Sequence, residues 1–328
     1  MDDPLIYLRA VHFAATITVA GVVFFIVFIA EPAFRGAAHD AYLPTRVRPR
    51  LAWTAWIGLI ATMLSGAAWF VLVAQSMSDS SLAEVFSQGI LFIVLTQTGF
   101  GLDWLARFVI ACLLAALFVR FLSARRVSSS WIKTAALALA AGLVATLVRA
   151  GHAAGGTGIE AIVHPTADML HLVAAAAWVG ALLPLALVLV AAGRDAASVD
   201  IARTATVRFS TLGIASVATL LVTGAINTWY LAGSIPALVD TGYGRLLLSK
   251  LALFLAMVAI AAVNRLRLTP RLVQDVSVSA TRDALRQLRR NSAIEIAVGA
   301  GVIAIVAVLG VTPPGLHAET APHTHHSH

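Results

Sequence analysis

The chain has 328 residues, of which 59% are hydrophobic and 12% are charged, and its mean hydropathy is +0.88. Soluble globular domains have an apolar share of roughly 45–50%, so the composition excludes an ordinary soluble protein and indicates an integral membrane protein. A net charge of +7 would suit a nucleic-acid partner. The basic residues, however, gather in alternate connections between apolar runs, which argues against nucleic-acid binding.

Eight apolar runs are long enough to cross a bilayer, because a helix needs about 20 apolar residues to cross roughly 30 Å of hydrocarbon. They predict an all-α polytopic membrane protein with eight transmembrane helices. In chain order the predicted spans are 5–30, 52–75, 101–122, 131–150, 166–192, 209–232, 245–264 and 292–311. An even number of spans returns the chain to its starting side, so both termini are expected on the same side.

The basic residues indicate which side that is. Eighteen of the 23 lie in four alternate connections. They are Arg35, Arg46, Arg48 and Arg50; Arg120, Arg125, Arg126 and Lys133; Arg194, Arg203 and Arg208; and Arg265, Arg267, Arg271, Arg282, Arg286, Arg289 and Arg290. By the positive-inside rule these connections face the cytoplasm, which predicts that both termini lie outside. Cys112 is the sole cysteine, so any metal site must use His, Met, Asp or backbone ligands.

The fifth span opens with a polar stripe. His164, Asp168 and His171 are spaced i, i+4 and i+7, which places them on one face of a helix, and Pro165 suits its first turn. With about 1.5 Å of rise per residue, His171 would lie roughly 10 Å deeper than His164. Ionisable groups at such depth are rare in membrane proteins and mark ion or cofactor sites. The stripe is therefore the main candidate site.

The chain also contains an internal repeat. At an offset of 159, His12 followed by Gly21 aligns with His171 followed by Gly180. Further matches are Ser65-Gly66-Ala67 with Thr223-Gly224-Ala225, and Thr98-Gly99-Phe100-Gly101 before Arg107 with Thr241-Gly242-Tyr243-Gly244 before Lys250. The pattern predicts two parallel four-helix repeats, 1–150 and 151–312, related by a pseudo-two-fold axis along the membrane normal. If His12 and His171 both face this axis, they share one site between the halves.

Residues 313–328 follow the last span and contain almost nothing apolar, which predicts a disordered tail outside the membrane. The tail carries the histidines His317, His323, His325, His326 and His328. A flexible histidine-rich tract is a compositional signal of metal binding. The tail is therefore a candidate for auxiliary metal capture, and its irregular spacing argues against a plain purification tag.

Four segments together resemble the CopD/PcoD family of bacterial copper-resistance membrane proteins. They are Gly151-His152-Ala153-Ala154; His164 with Asp168 and His171; Trp178-Val179-Gly180; and the run Thr-Gly-Tyr-Gly-Arg-Leu-Leu-Leu-Ser-Lys at 241–250. The resemblance is densest over 145–312 and weaker over the first four spans. It implies a multi-pass protein of the bacterial inner membrane that takes copper from the periplasm, in related systems from a separate small carrier of the CopC type, and passes it toward the cytoplasm.

Each expected metal ligand has a competing structural interpretation. The histidine candidates are His12, His152, His164 and His171. Imidazole binds copper well at neutral pH, but a histidine also packs between helices or caps a helix near the interface. Asp168 either ligates the metal, orients an imidazole or only favours the helix start. Met169 points about 100° away from Asp168 and suits a lipid-facing or core position better than a ligand position.

Three further polar residues are expected to support the site. Arg107 and Lys250 lie one or two turns inside the outer face, and the favoured interpretation is that both snorkel to the interface. The alternative is that they screen the site or hold an anionic group. Asn227 is expected either to bond another helix or to line a path.

Three functions are compatible with these features. The favoured one is copper transport into the cell, with Cu(I) and Cu(II) both open, and with no enzymatic activity. The runner-up is a membrane oxidoreductase in which paired histidines ligate haem b, because the family distantly resembles haem-pathway oxidases of the HemJ type. The third is a membrane protein that binds or senses copper without transporting it. The lipid bilayer is a partner in all three.

Overall fold

The computed structural model describes residues 4–35, 42–122, 129–148, 158–193, 195–232, 235–273 and 278–312. These residues are predominantly helical, which confirms the all-α class. The helices are α1 (Pro4–Phe34), α2 (Tyr42–Ser78), α3 (Leu82–Ser87), α4 (Ile90–Gln97), α5 (Gly99–Phe121), α6 (Ser130–Ala145), α7 (Glu160–Ala191), α8 (Ala196–Ala232), α9 (Ile235–Asp240), α10 (Gly242–Leu272) and α11 (Val278–Leu309).

Seven of the described helices are long and apolar enough to cross a membrane: α1, α2, α5, α7, α8, α10 and α11. The fourth predicted span, 131–150, corresponds to α6, which has 16 residues. At about 1.5 Å per residue this helix is roughly 24 Å long, short of the roughly 30 Å hydrocarbon core. The described structure therefore supports seven spans, and the count of eight stays a prediction.

Several helices begin well before the apolar runs that predicted them. Helix α2 begins at Tyr42 rather than near residue 52, α8 at Ala196 rather than 209, and α11 at Val278 rather than 292. The added turns are rich in arginine, which is a good helix former. Hydropathy marks only the part of a helix that lies in lipid, so it misses these polar extensions.

Helix α1 is the centre of the bundle, and most of its length is buried against α2 and α7. Gly21 of α1 and Gly180 of α7 lie where these two helices cross. A Cβ added to Gly21 would overlap the backbone of Gly180, and one added to Gly180 would overlap the carbonyl oxygen of Ile17. The crossing is close because neither glycine has a side chain.

Helices α1 and α7 run in the same direction. Arg208, in the first half of α8, donates from Nη1 to the carbonyl oxygen of Phe28 near the end of α1, at 3.4 Å. Because only four residues separate the end of α7 from the start of α8, the ends of α1 and α7 lie at the same end of the bundle. We call this the arginine end, since it holds Arg46, Arg50, Arg282, Arg286 and Arg289. The opposite end, with His12, His164 and His171, is called the histidine end.

Candidate metal centre

The predicted stripe on α7 is paired, residue by residue, with a stripe on α8. The Nδ1 atom of His171 lies 3.0 Å from Oγ1 of Thr223. One turn nearer the helix start, Nδ2 of Asn227 donates to Oδ1 of Asp168 at 3.1 Å. At the top, the rings of His164 and Tyr230 stack with centroids 5.1 Å apart. Thr223, Asn227 and Tyr230 repeat the spacing i, i+4 and i+7, so two antiparallel helices present a three-rung polar ladder.

The hydrogen bonds fix which nitrogen of His171 is protonated. Oγ1 of Thr223 donates its hydrogen to the carbonyl oxygen of Thr219 at 2.6 Å. A hydroxyl has one hydrogen, so toward His171 the same oxygen accepts, and Nδ1 is the nitrogen that carries the proton. The lone pair of a neutral imidazole then lies on Nε2, for which the described residues offer no hydrogen-bond donor. Nε2 is therefore the atom of His171 that can bind a metal.

The middle rung of the ladder, Asp168 with Asn227, holds oxygen atoms that can accept hydrogen bonds or bind a cation. Oδ1 of Asn227 is buried and has no hydrogen-bond partner in the described part of the chain, while the other atom of the amide holds Asp168. Lys250 of α10 and His164 are both close enough to Asp168 for their charges to act on its carboxylate. A buried oxygen without a donor costs free energy unless something binds it. The arrangement suits a cation better than an anion.

His12 sits in a sealed environment in the other half of the chain. Its side chain is fully buried, with 0% exposure. Its Nδ1 lies 3.1 Å from both the carbonyl oxygen of Thr62 and Oγ of Ser65. A carbonyl only accepts, so Nδ1 donates here too. On the opposite side of the ring, Nε2 accepts a hydrogen bond from Nη1 of Arg107 at 3.4 Å. The lone pair that could bind a metal is therefore already used.

Arg107 is fixed in the interior, so the expectation that it snorkels to the interface is wrong. Its side chain is 5% exposed. Nε donates to Oγ1 of Thr146 at 3.0 Å, and Nη2 donates to the carbonyl oxygen of Thr146 at 2.8 Å. The rings of Trp69 and Trp104 each lie 5.7 Å from the guanidinium carbon. These hydrogen bonds and ring contacts stabilise the guanidinium inside the bundle, so the side chain does not extend to the surface.

A second arginine lies beside the first. At the offset of 159 that aligns His12 with His171, Arg9 occupies the position of Asp168. Arg9 is 6% exposed, and its guanidinium carbon lies 4.9 Å from the ring of Trp69. At the offset of 158 that aligns Ser65 with Thr223, Trp69 in turn corresponds to Asn227. At these matching positions the second half thus has the carboxylate of Asp168 and the amide of Asn227. The first half has the guanidinium of Arg9 and the indole of Trp69.

The structure does not bring His12 and His171 into contact. Each imidazole is bonded to the following helix of its own half, and the described residues show no hydrogen bond or ring contact between the two. No group of three His, Cys, Asp or Glu side chains in the described ranges is close enough to hold a metal ion by itself. Met169 is 38% exposed, as expected for a lipid-facing position. A site shared between the halves stays a prediction.

Six of the predicted capture residues lie outside the described residues. They are His152 and the tail residues His317, His323, His325, His326 and His328. Their contribution stays a prediction from composition.

Toward the arginine end, a buried carboxyl lies beside a π-helical turn of α10, Asn264–Leu268. Glu295 is 1% exposed, and its Oε2 accepts from Nδ2 of Asn264 at 3.0 Å. Nδ2 of Asn291 in turn donates to Oδ1 of Asn264 at 2.6 Å. Oε1 of Glu295 has no hydrogen-bond partner in the described part of the chain. Single π turns are frequent at functional sites, so this cluster is a second polar position along the bundle.

Reasoning from the sequence missed Arg9, Trp69 and Thr223. For Arg9 the signal was present, because the offset that pairs His12 with His171 also pairs Arg9 with Asp168. Following the repeat one turn toward the N-terminus would have revealed opposite charges at matching positions.

Comparison with known proteins covers nearly the whole chain. The sequence profile described as Copper resistance protein D matches residues 203–309, and the profile of the Copper resistance protein D-like, N-terminal domain matches residues 1–162. Copper resistance protein D of Pseudomonas syringae pv. tomato is 31% identical over 322 residues, which cover 97% of this chain and 99% of that protein.

Two further relatives extend the comparison. Inner membrane protein YebZ of Escherichia coli (strain K12) is 31% identical over 312 residues, covering 94% of this chain and 98% of that protein. Copper transport protein CutJ of Bacillus subtilis (strain 168) is 30% identical over 181 residues, covering 55% of this chain and 33% of that protein. No solved structure gives a significant match. With near full-length similarity to a copper resistance protein D and seven span-length helices, the chain belongs to the copper resistance protein D family.

Proposed function

We propose that this chain transports copper across the bacterial inner membrane, from the periplasm toward the cytoplasm, and that the ion binds in the second half of the chain. Relatives named for copper resistance, copper transport and the inner membrane support this function and location. Copper is the cargo here, and at the histidine end it would meet His164, Asp168 and His171 in turn rather than bind all three at once, because no three such side chains in the described ranges surround one ion.

One observation carries the assignment of the ion to the second half. The described residues offer no hydrogen-bond donor to Nε2 of His171, and the next rung of the ladder holds the carboxylate of Asp168 and the buried amide oxygen of Asn227. Nε2 of His12, in contrast, accepts a hydrogen bond from the guanidinium of Arg107. A copper ion at Nε2 of His12 would meet a fixed cation in a low-dielectric interior. The geometry therefore favours His171 over His12 as the intramembrane ligand.

The ladder suggests how an ion would enter. His164, nearest the end of the bundle, would meet copper first, and Asp168 would offset the positive charge as the ion loses water. His171, one turn deeper, would hold the ion with its orientation fixed by Thr223. Lys250 would serve as the countercharge of Asp168 before copper arrives. Further along the bundle, Glu295 is the candidate for an exit position.

The remaining sequence predictions form part of the same proposal. Eight spans in two parallel four-helix repeats would place both termini in the periplasm, with 313–328 as a histidine-rich tail. His152 and the tail would collect copper before it enters, and a separate carrier of the CopC type would deliver it. Met169 is the weakest ligand candidate, since its exposure favours contact with lipid.

Copper accumulation in cells tests the proposal. Cells expressing the wild-type chain are expected to accumulate more copper than cells with an empty vector, and Asp168→Asn together with His171→Ala should abolish the difference. Asp200→Asn is the matched control, because Asp200 is an exposed carboxylate paired with Arg203 outside the site. Equal accumulation by wild type and empty vector would exclude transport, even if the purified protein binds copper.

The optical spectrum of the purified protein separates the haem alternative. Haem b would give a strong absorption band at about 400 nm, the Soret band, which disappears when a ligating histidine is replaced. The described structure offers nothing that favours this alternative, because Nε2 of His12 is engaged by Arg107. A Soret band lost in both His12→Ala and His171→Ala would replace copper transport by haem chemistry.

A further inference from the structure

A cavity of about 600 Å³ opens at the arginine end of the bundle. Five arginines line it: Arg46 and Arg50 from α2, and Arg282, Arg286 and Arg289 from α11. The end of α7, including Val190 and Ala192, forms another wall. Two segments far apart in sequence thus direct their positive residues into one space.

Most of this positive charge has no acidic partner. Arg286 pairs with Asp283, but in the described part of the chain Arg46, Arg50 and Arg282 pair with no carboxylate. Arg289 donates from Nε to the carbonyl oxygen of Leu189 at 2.8 Å and from Nη2 to that of Ala192 at 2.7 Å. These bonds fix its guanidinium and use two of its five N–H donors. The other three have no hydrogen-bond acceptor among the described residues and are available to an anion.

The arginines flank the apolar segments that predict membrane spans. Arg50 is two residues before the predicted span 52–75, and Arg289 is three residues before the span 292–311. Positive residues are common in such connections, but that rule does not require them to converge on a cavity. Val190, on the cavity wall, is 59% exposed. An exposed apolar side chain therefore lies beside the arginines.

We propose that this cavity binds the phosphate-bearing headgroup of an anionic phospholipid. Guanidinium groups bind phosphate oxygens through paired, charge-assisted hydrogen bonds, and basic pockets between transmembrane helices are suited to acidic headgroups. The exposed apolar surface at Val190 favours a lipid over soluble phosphate, because it provides a place for an acyl chain. This inference is independent of copper transport and requires only that the arginine end lies at a membrane surface.

Native mass spectrometry of the detergent-purified, full-length protein tests the proposal with phosphatidylglycerol and, for comparison, zwitterionic phosphatidylcholine. Arg50→Gln with Arg282→Gln should weaken phosphatidylglycerol binding about 25-fold, since each arginine that lines the cavity and contacts the headgroup contributes about fivefold. The matched control is Arg267→Gln with Arg271→Gln, which removes the same charge from exposed arginines outside the cavity. The control should stay within about twofold of wild type, because exposed charges that do not contact the headgroup are screened by solvent and salt.

Three outcomes would overturn the proposal: equal binding of the two lipids by the wild type, equal weakening in both double variants, or full displacement of the lipid by an equimolar amount of inorganic phosphate. The last would assign the cavity to a soluble anion. Should the cavity double variant fail to fold, Arg50→Gln and Arg282→Gln serve separately, each with an expected weakening of about fivefold.

Discussion

The two halves of the chain place a histidine at matching positions and surround it differently. His171 is bonded to Thr223, lies one turn from the bonded pair Asp168 and Asn227, and is close enough to Lys250 for that charge to act on its ring. His12 is bonded to Ser65, Thr62 and Arg107, contacts the ring of Trp69, and lies within reach of the charge of Arg9. In both halves the imidazole donates from Nδ1 to the helix that follows. The difference lies on the side of Nε2.

Under the proposed function, one framework would serve a cation site in one half and a closed structural cluster in the other. The bond from Nδ1 orients each ring, and the residue one turn away along the stripe differs in charge between the halves. Asp168 would attract a metal cation in the second half, whereas Arg9 and Arg107 would repel one from the first. An internal repeat therefore need not imply two equivalent sites.

The largest of these effects on copper affinity is expected from removing the carboxylate of Asp168. Asp168→Asn should keep the shape of the ladder but weaken copper binding by about 10- to 100-fold, because the ion loses its negative partner. The measurement is a copper titration of the purified protein. Asp195→Asn, at the arginine end, removes a charge outside the site and should leave the affinity unchanged. An Asp168→Asn variant with wild-type affinity would contradict the role given to the carboxylate.

The next effect is a loss of fold stability when a methyl group is added beside each of the two histidines. A Cβ on Gly66 would lie 2.6 Å from a ring atom of Trp104 and 3.0 Å from Cε1 of His12, whereas one on Gly224 would lie 3.6 Å from Cε1 of His171. Gly66→Ala should destabilise the fold by about 1–3 kcal/mol through overpacking. Gly224→Ala makes only ordinary contacts and serves as the control. Thermal unfolding in detergent measures both, and equal losses would show that the first half is not the more tightly packed.

A smaller effect is expected from the hydroxyls that orient the imidazoles. Thr223→Val removes the acceptor of Nδ1 of His171 and should weaken copper binding about tenfold, as for other groups that orient a ligand. Ser65→Ala makes the corresponding change beside His12 and should leave copper binding unaltered. The same titration applies to both. Equal weakening in the two variants would indicate that both halves contribute to the site.

The smallest expected effect is a gain in copper affinity. Lys250 acts on Asp168 without a direct salt bridge within the described residues, so it competes weakly with copper for the carboxylate. Lys250→Met should raise copper affinity by about threefold, in line with the modest strength of ion pairs that remain partly solvated. Arg245→Met, an exposed change on the same helix, is the control. A large loss of affinity in Lys250→Met would instead show that Lys250 holds the site together.

The sequence predicted the stripe on α7 because its spacing depends only on helix geometry. Asp168 and His171 share a face whatever the neighbouring helix does. The partners Thr223 and Tyr230 could not be predicted, because they depend on how α8 is rotated against α7. Asn227 was named for its chemistry alone, and the structure bonds it to Asp168.

The errors have physical causes as well. Arg107 was expected at the interface because a cation in lipid is costly, but Thr146 and the two indoles satisfy it inside the bundle. Helices α2, α8 and α11 begin before the predicted spans because hydropathy does not register their arginine-rich first turns. For Arg107, contacts made by the folded bundle outweighed a single-residue preference.

The assignment of copper to the second half is best tested by a copper titration of His171→Ala and His12→Ala, purified in parallel and measured under identical conditions. We expect that His171→Ala loses tight binding, while His12→Ala binds copper like the wild type and is less stable, because Arg107 loses an acceptor. Loss of tight binding in His12→Ala with wild-type binding in His171→Ala would contradict the assignment of copper to the second half.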